Sequence, residues 1–287
     1  MTTSIDEVIS VCSAKDLEVW TVASKNIVQF IPAARYTVIV PDSQVDLFAS
    51  VTCAPYQVKP ESSFVGNAKE RIAQTLSAEN QDRVGWYLQQ FVKISAILAH
   101  DDQDIVLIWD ADTVPLKSLE FIDQNGRLIY YKGSEFRKSY FEFIERALGL
   151  KRDQDFSFIA QSLVAKVVWV RELFQFLENK TQKPWPEAVL AFLDPKEPAG
   201  FAEFETLGTW FWQNHRSEMV VSDRPWQRNG LSLVGSPLKL SQSTWLGLSK
   251  SFDFVSFELW DGVVGLRKRF KRLYRRWKYS CQGKGNS

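Results

Sequence analysis

A chain of 287 residues with 45% hydrophobic content is long enough to bury a substantial core, which excludes a disordered or fibrous protein. The formal net charge is only +1, but residues 267–287 contain nine Lys/Arg and no Asp/Glu, so the chain before them is net acidic. This acidic body argues against extended nucleic-acid binding, which relies on basic surfaces, so nucleic acid is not an expected partner.

Cysteine usage and hydropathy indicate the compartment. Cys12, Cys53 and Cys281 are widely separated and lack the spacing of metal ligands, which predicts neither a disulfide framework nor a zinc site. A reducing, cytoplasmic environment fits this pattern. The N-terminus has no apolar run of signal-peptide length, and no run of about 18 apolar residues occurs in the chain. We therefore expect a protein that is neither secreted by that route nor membrane-spanning.

Strand-like and helical patterns alternate in the first half of the chain, which is typical of a mostly parallel sheet covered by helices. The elements predicted up to the middle of the chain are strands at 8–12, 36–40, 56–59 and 104–109 and helices at 16–30 and 84–99, the last of them amphipathic. Further elements follow as a strand at 128–131, an unassigned apolar stretch at 156–170, and helices at 140–150, 171–179, 187–192 and 201–215.

Asp110 and Asp112 directly follow the most apolar predicted strand. In an open α/β sheet, ligands bind outside the carboxyl ends of the strands, where these two residues fall. Carboxylates two residues apart can turn toward one hard divalent cation, Mn²⁺ or Mg²⁺, which would bridge the phosphate oxygens of a nucleotide. The pair thus predicts a metal site that neutralises a diphosphate leaving group.

Two other interpretations of this Asp-x-Asp pair stay open. Two aspartates in a loop are often turn formers or helix caps. The pattern also resembles the nucleophile motif of haloacid-dehalogenase-like phosphatases, in which the first Asp is phosphorylated and the second is the acid/base. In that family the motif follows the first strand, whereas here about a hundred residues of sheet-like sequence precede it.

Three sequence blocks occur in a fixed order: GWYLQQFVK at 85–93, VLIWDADT at 106–113 and EFETLG at 203–208. Together they resemble a bacterial DUF6492-like family of glycosyltransferases in the GT-A superfamily, with the pattern GWYLQQ-x-x-K, D-A-D and S-E-Y-E-T-Y-G. Ala202, Phe204 and Leu207 depart from it, and Leu207 removes a phenol. The resemblance implies an α/β fold with a GT-A-like, Rossmann-type, mostly parallel sheet flanked by helices, and a nucleotide-sugar donor as substrate.

The resemblance also implies roles for individual residues. Asp110 and Asp112 become the metal and diphosphate site. Glu203 and Glu205 would lie near the acceptor, and one of them could be the general base; two residues apart on a helix they do not share a face, and Glu203 is preferred. The expected nucleotide-binding residues are Ser13, Asp42, Arg83, Gln89, Gln90, Lys93 and Asp110, with Lys93 as a phosphate contact. Neither His100 nor His215 is assigned to the metal.

The end of the chain, LRKRFKRLYRRWKY from residue 266, forms its own region. At helical spacing it places one apolar and aromatic stripe opposite a cationic face; the stripe comprises Leu266, Phe270, Leu273, Tyr274 and Trp277. Such a helix is typical of attachment to an anionic membrane surface, here through 266–279. Packing on the body and nucleic-acid binding are the alternatives.

These patterns predict a catalytic domain at 1–265 and a basic aromatic amphipathic tail at 266–287. We expect a metal-dependent glycosyltransferase at the cytoplasmic face of the inner membrane, which moves a sugar from a nucleotide-sugar to a saccharide or lipid-linked acceptor in bacterial surface glycan synthesis. The alternatives are the phosphatase that uses Asp110 and Asp112, and a non-catalytic sugar-nucleotide-binding protein.

Overall fold

A computed structural model describes residues 4–262 and 266–284, with the side chains of 266–271 and 283–284 outside the description. Its strands are β1 (Ile5–Val11), β2 (Ala33–Val40), β3 (Gln57–Pro60), β4 (Ile105–Trp109), β5 (Thr113–Pro115), β6 (Leu128–Tyr131), β7 (Ser162–Lys166), β8 (Met219–Ser222) and β9 (Phe254–Ser256). Five of them form the central sheet in the order β3-β2-β1-β4-β7. The first four strands in this order run parallel, and β7 is antiparallel to β4. The predicted mostly parallel sheet is confirmed.

Helices cover this sheet. They are α1 (Leu17–Phe30), α2 (Val45–Val51), α3 (Ser62–Val65), α4 (Ala68–Thr75), α5 (Val84–Leu98), α6 (Lys138–Leu148), α7 (Val167–Thr181), α8 (Trp185–Phe192), α9 (Glu203–Asn214), α10 (Gly230–Leu233), α11 (Gln242–Ser251) and α12 (Leu266–Lys284). None of the helices in the described part of the chain has both the length and the apolar character needed to cross a bilayer.

Two short strand pairs complete the architecture beside the central sheet. Strands β5 and β9 pair antiparallel, with Thr113 opposite Ser256, and β6 and β8 pair parallel. The first pair begins directly after the Asp110–Asp112 turn, so it joins that turn to the C-terminal part of the chain.

Helix α5 differs from its prediction in its environment. Its sequence predicted an amphipathic helix, but residues on almost every side of it are buried, including the polar Gln90 and Lys93. The helix lies between the sheet and α7 and α4. Because both polar side chains are enclosed, each of them needs a partner inside the protein.

The apolar stretch 156–170 contains an element boundary that the sequence pattern did not indicate. Strand β7 ends at Lys166 and α7 begins at Val167, four residues before the predicted helix start at 171. All four of the first residues of β7 and most of the first turn of α7 are buried. A continuously buried segment carries no alternation, so its periodicity cannot separate strand from helix.

Gly208 lies in the middle of α9, where glycine usually weakens a helix. Its position has a packing reason, because a Cβ here would lie 2.1 Å from Cγ of Phe158. The buried Phe158 ring therefore occupies the space that any other residue would need, and α9 packs directly on the segment that precedes β7.

Helix α12 packs against α11, which agrees with packing on the body as one of the predicted alternatives for the tail. The backbone of Tyr279 crosses Gly247 so closely that a Cβ there would be 1.8 Å from the Tyr279 carbonyl oxygen. Ser243 and Ser280 are joined by a 2.7 Å hydrogen bond between their hydroxyls. Leu273, Tyr274 and Trp277 remain exposed, and the predicted stripe positions Leu266 and Phe270 lie outside the described side chains.

Candidate active site

A cleft of about 660 Å³ opens at the carboxyl ends of β1 and β4. These two strands are neighbours in the sheet. From β1 the chain first adds β2 and β3 on one side and then returns to add β4 and β7 on the other, so the strand order reverses between β1 and β4. Such a reversal of strand order separates the loops that follow the two strands and leaves a crevice between them. The cleft walls come from the loops after β1 and β4, from α5, from the start of α9 and from the segment after β9.

The Asp110–Asp112 turn is fixed from both sides. The amide of Asp110 donates to the carbonyl of Gln161 over 2.9 Å, and the amide of Phe257 donates to the carbonyl of Asp112 over 2.8 Å. Gln161 adopts the left-handed backbone region with a φ of 61°, which is unfavourable for a residue with a Cβ. The strands on both sides thus hold the turn, and both carboxylates line the cleft.

Lys93 connects two of the predicted carboxylates. Its Nζ lies 2.6 Å from Oδ1 of Asp110 and 2.7 Å from Oε1 of Glu203, and it also sits 4.3 Å from the centroid of the Phe204 ring. Burial lowers the pKa of Lys93, but the charges of Asp110 and Glu203 outweigh it and hold that pKa above its usual range. Lys93 is therefore a permanent cation that orients two acids.

Gln90 contributes to the same arrangement through the backbone of α9. Its Oε1 accepts a 2.9 Å hydrogen bond from the amide of Glu203, the first residue of that helix. The residue before it, Ala202, cannot cap the helix with its side chain. Gln90 therefore takes over a capping role from a distant part of the chain and fixes the start of α9 next to α5.

Negative charge also accumulates around Asp112 in the cleft. Desolvation, together with the charges of Asp110, Glu258 and Asp16, raises the pKa of Asp112 well above its usual range, although part of Asp112 is still exposed. Desolvation and neighbouring acids also raise the pKa values of Asp16 and Glu258. This excess of carboxylate charge fits a bound cation, which would lower the cost of ionising them together.

The donor set also indicates how such a cation would be held. Among the described residues, no three His, Cys, Asp or Glu side chains lie close enough together to hold a metal ion by themselves. Asp110 and Asp112 alone would leave most coordination positions to phosphate oxygens and water. That is how Mg²⁺ is usually bound at nucleotide sites, so the residues fit Mg²⁺ or Mn²⁺ bound together with a diphosphate.

Most of the predicted site residues share this cleft: Ser13, Arg83, Gln89, Gln90, Lys93, Asp110, Asp112 and Glu203. Arg83 donates from Nε to the carbonyl of Pro198 over 3.0 Å and lies 4.3 Å above the Trp86 ring. It therefore forms part of a cationic and aromatic wall next to Gln89.

Asp42 and Glu205 do not line the cleft, and here the structure departs from the sequence-based predictions. Asp42 caps a turn instead, since it accepts hydrogen bonds from the amide and hydroxyl of Ser62. Glu205 is fully buried on another side of α9, where its Oε2 accepts from the Ser157 hydroxyl and from the amide of Phe158. The helical offset of two residues separates it from Glu203.

The two histidines lie outside the cleft lining. His215 stacks on Trp169 with a centroid distance of 4.4 Å and lies 2.7 Å from Oε2 of Glu172. His100 lies in the loop after α5, where its Nε2 is 2.8 Å from Oε2 of the buried Glu7. Both serve packing and pairing within the body.

Several cleft residues had no signal in the sequence. Arg228 bridges Glu135 and Glu258, with 2.7 Å between its Nε and Oε1 of Glu258. Glu258 also accepts a 2.9 Å hydrogen bond from Gln161. The only sequence hint for Glu258 was the apolar run of β9 before it, because a polar residue at a strand end resembles Asp110 after β4.

A second pocket of about 500 Å³ adjoins the cleft and shares Glu135, Ile159 and Arg228 with it. Its far wall includes Trp226, whose Nε1 donates to the carbonyl of Lys132 over 2.8 Å. The pocket therefore continues the cleft past the Arg228 bridge, between the segment after β6 and the loop that joins β8 to α10.

Residues 3–260 match the protein family described as "Family of unknown function (DUF6492)". The chain belongs to this family. The predicted family resemblance is thereby confirmed over most of the sequence. Among curated protein sequences, none matches this DUF6492 member significantly.

Solved structures match this DUF6492 chain over nearly its whole length. The galactosyltransferase LgtC in complex with donor and acceptor sugar analogues has a TM-score of 0.50 and 11% identity, covering 96% of this chain and 95% of that one. An active-site mutant of LgtC has a TM-score of 0.51 and 11% identity, covering 96% and 94%. Mouse xyloside xylosyltransferase 1 in its apo form follows at 0.49 and 9%, covering 90% and 99%. The LgtC structures show a shared fold, which confirms the predicted GT-A-like architecture.

Proposed function

We propose that this protein is a glycosyltransferase that binds a nucleotide-sugar together with a divalent cation in the cleft. The observation that carries the proposal is the position of Asp110 and Asp112, at the carboxyl end of β4 and at the reversal of strand order, in a fold shared with LgtC. LgtC is described as a galactosyltransferase in complex with donor and acceptor sugar analogues. Nucleotides bind at this point in open α/β sheets.

In this proposal the cation, Mg²⁺ or Mn²⁺, is held by Asp110 and Asp112 and supplies charge neutralisation for the departing nucleoside diphosphate. Lys93 keeps the Asp110 carboxylate in a fixed orientation through its 2.6 Å contact. Arg83 and Lys15, which also line the cleft, provide further positive charge for an anionic donor.

Glu203 is the proposed acceptor-side carboxylate. Its Oε1 is bound to Lys93, whereas within the described residues its Oε2 has no hydrogen-bond donor. That second oxygen can accept the hydrogen of an acceptor hydroxyl, which would orient the hydroxyl and remove its proton during transfer. Glu205 is not a candidate for this role, because it is buried outside the cleft.

The acceptor would enter through the adjoining pocket of about 500 Å³. It contains the amphipathic Trp226 ring and paired donors and acceptors such as Lys132 with Asp223. Saccharides present both hydroxyls and apolar ring faces, so a lining of this kind suits a saccharide or lipid-linked saccharide.

Membrane association through α12 is a further part of the proposal. The helix displays Leu273, Tyr274 and Trp277 beside a high density of Lys and Arg. Aromatic and cationic side chains together favour the headgroup region of an anionic membrane. Such a location at the cytoplasmic face would bring the cleft to a lipid-linked acceptor and fits surface glycan synthesis.

Thermal unfolding tests the donor site. We expect one nucleoside diphosphate from a panel to raise the melting temperature by about 5 °C when Mn²⁺ or Mg²⁺ is present, because saturating ligand adds about 2–3 kcal/mol to folding. Asp110→Asn/Asp112→Asn should abolish the shift. Asp101→Asn/Glu120→Gln, which removes two exposed acids outside the cleft, should retain it.

A second measurement separates transfer from binding. Release of nucleoside diphosphate from the matching nucleotide-sugar, stimulated by a saccharide acceptor, is expected of the glycosyltransferase. Binding without release would support the non-catalytic nucleotide-binding protein. A phosphorylated Asp110, detected after incubation with a phosphate ester, would support the phosphatase and contradict the glycosyltransferase proposal.

A further inference from the structure

Helix α12 and the body enclose a small pocket of about 170 Å³ that shares no residue with the catalytic cleft. Three of its seven lining residues are cationic: Lys239, Arg272 and Arg276. Arg272 and Arg276 are four residues apart on α12, so they lie on the same face of the helix. Arg272 packs over Gly235, where an added Cβ would lie 3.4 Å from its Cδ. The three cations therefore converge from two different segments of the chain.

These cations lack counter-charges. Among the described side chains, no carboxylate forms an ion pair with Lys239, Arg272 or Arg276. One acid lies near the rim, since the hydroxyl of Ser236, a lining residue, donates to Oε1 of Glu18. One neighbouring carboxylate leaves the pocket with a clear excess of positive charge. By contrast, Lys93 and Arg228 of the cleft each hold two carboxylates.

Apolar groups accompany this charge. Val234 and Leu273 line the pocket, and Leu273 is also 58% exposed. Leu238, next to Lys239, and Trp277 are exposed to a similar extent. A site for free phosphate would need only the polar groups. Cations with exposed apolar side chains beside them suit a ligand that carries an anionic phosphate on an apolar body.

We infer that this pocket binds the phosphate group of an anionic membrane phospholipid while the exposed side chains beside it enter the bilayer interface. Lys239, Arg272 and Arg276 would each donate charge-assisted hydrogen bonds to the phosphate oxygens. The inference rests on the membrane association proposed above, but it adds a defined site to it. Because one of the cations belongs to the body, lipid binding would also fix the orientation of α12 relative to α10 and the segment after it.

Vesicle flotation of the full-length protein tests the inference with charge-matched variants. The vesicles contain phosphatidylcholine alone or with phosphatidylglycerol. Arg272→Gln/Arg276→Gln removes two pocket cations, and Arg275→Gln/Lys278→Gln removes two exposed cations of the same helix that do not line the pocket. The pocket pair should weaken partitioning at least about tenfold more than the control pair, because direct phosphate contacts add to long-range attraction.

Lys239→Gln examines the body side of the pocket without altering α12. It should weaken partitioning by about tenfold, with the thermal midpoint unchanged as a check of folding. Inorganic phosphate at low millimolar concentration should fail to release the protein from vesicles. Release by free phosphate would mean that the pocket recognises phosphate without the lipid. That result would overturn the assignment of the pocket to a phospholipid.

The remaining outcomes distinguish a defined phospholipid site from general membrane association of α12. Equal losses for the pocket pair and the control pair would overturn the defined site and leave membrane association by distributed charge. No binding of the unaltered protein to any anionic vesicle would overturn both. The donor-site proposal is judged independently by its thermal shift with nucleoside diphosphates.

Discussion

The cleft and helix α12 are both rich in charged and aromatic residues, but they hold their charges differently. In the cleft, Lys93 is 5% exposed and contacts two carboxylates at 2.6 and 2.7 Å. On α12, Arg275 and Lys278 are exposed, and no carboxylate among the described side chains pairs with them. Buried charge has to be paired to persist, whereas exposed charge stays available for an external partner. The cleft thus has a fixed internal geometry, and the helix offers a surface.

The largest effect is expected from breaking the pairing in the cleft. Lys93→Met leaves Asp110 and Glu203 without their shared cation, and removal of one partner from a buried ion network costs about 3–5 kcal/mol. Urea unfolding monitored by tryptophan fluorescence measures the loss. As a matched control, Lys278→Met on exposed α12 should change the free energy of unfolding by less than about 0.5 kcal/mol. Similar losses for both variants would contradict the difference between the two regions.

Glu205 tests whether a buried carboxyl group without an ion pair destabilises the protein when it ionises. Desolvation raises its pKa to about 7, against the opposing hydrogen bonds from Ser157 and Phe158. A carboxyl group with a raised folded pKa binds more protons in the folded state, so stability falls as pH rises from about 4.5 to 7. Above pH 7 the folded protein carries a buried charge at this position.

The Glu205→Gln variant should lack this dependence. The free energy of unfolding of the variant minus that of the unaltered protein should increase by about 1–3 kcal/mol from pH 5 to pH 8. Each unit of pKa difference corresponds to about 1.4 kcal/mol. Urea unfolding at both pH values gives the comparison. An equal difference at both pH values would show that Glu205 does not titrate between them, which contradicts a folded pKa near 7.

The smallest global effect is expected at the contact between α11 and α12. Gly247→Ala places a methyl group against the backbone of Tyr279, so α12 should separate from α11. Limited proteolysis within α12 should accelerate by about tenfold or more, because local opening exposes the cleavage sites. The nucleoside diphosphate shift of the cleft should persist. Loss of that shift would mean that the two regions are coupled.

Much of the fold followed from apolar patterns in the sequence. Strands β1, β2 and β4 were predicted within a few residues because each is a short apolar run bounded by polar or turn residues. The antiparallel β7 and the start of α7 were missed, because both lie in one continuous apolar stretch. Gln90 and Lys93 of α5 were expected to contact the nucleotide; in the structure they are bound to the start of α9 and to the Asp110 turn.

The candidate site shows the same division. Asp110 and Asp112 could be singled out because they end an apolar strand, and chain order alone put them at a ligand-binding edge. Glu203 and Glu205 could not be told apart with certainty, since the direction of each side chain depends on how α9 is rotated against its neighbours. Glu258 and Arg228 come from the C-terminal part of the chain. The pairing of β9 with β5 brings Glu258 to the cleft, and bridges from Gln227 and Asn229 to the β9 segment place Arg228 beside it.

The sequence by itself determined the α/β class, the family and the acidic motif at the end of β4, because these depend on short-range patterns of residue type. The tertiary structure decided which charges meet. Along the chain, Asp110 lies 17 residues after Lys93, and Glu203 lies 110 residues after it. Contacts over such separations arise from packing of α5, β4 and α9, and no local periodicity records them. Packing also decided that Leu273, Tyr274 and Trp277 of α12 are exposed. The apolar stripe in the sequence is equally compatible with a helix face buried in the core.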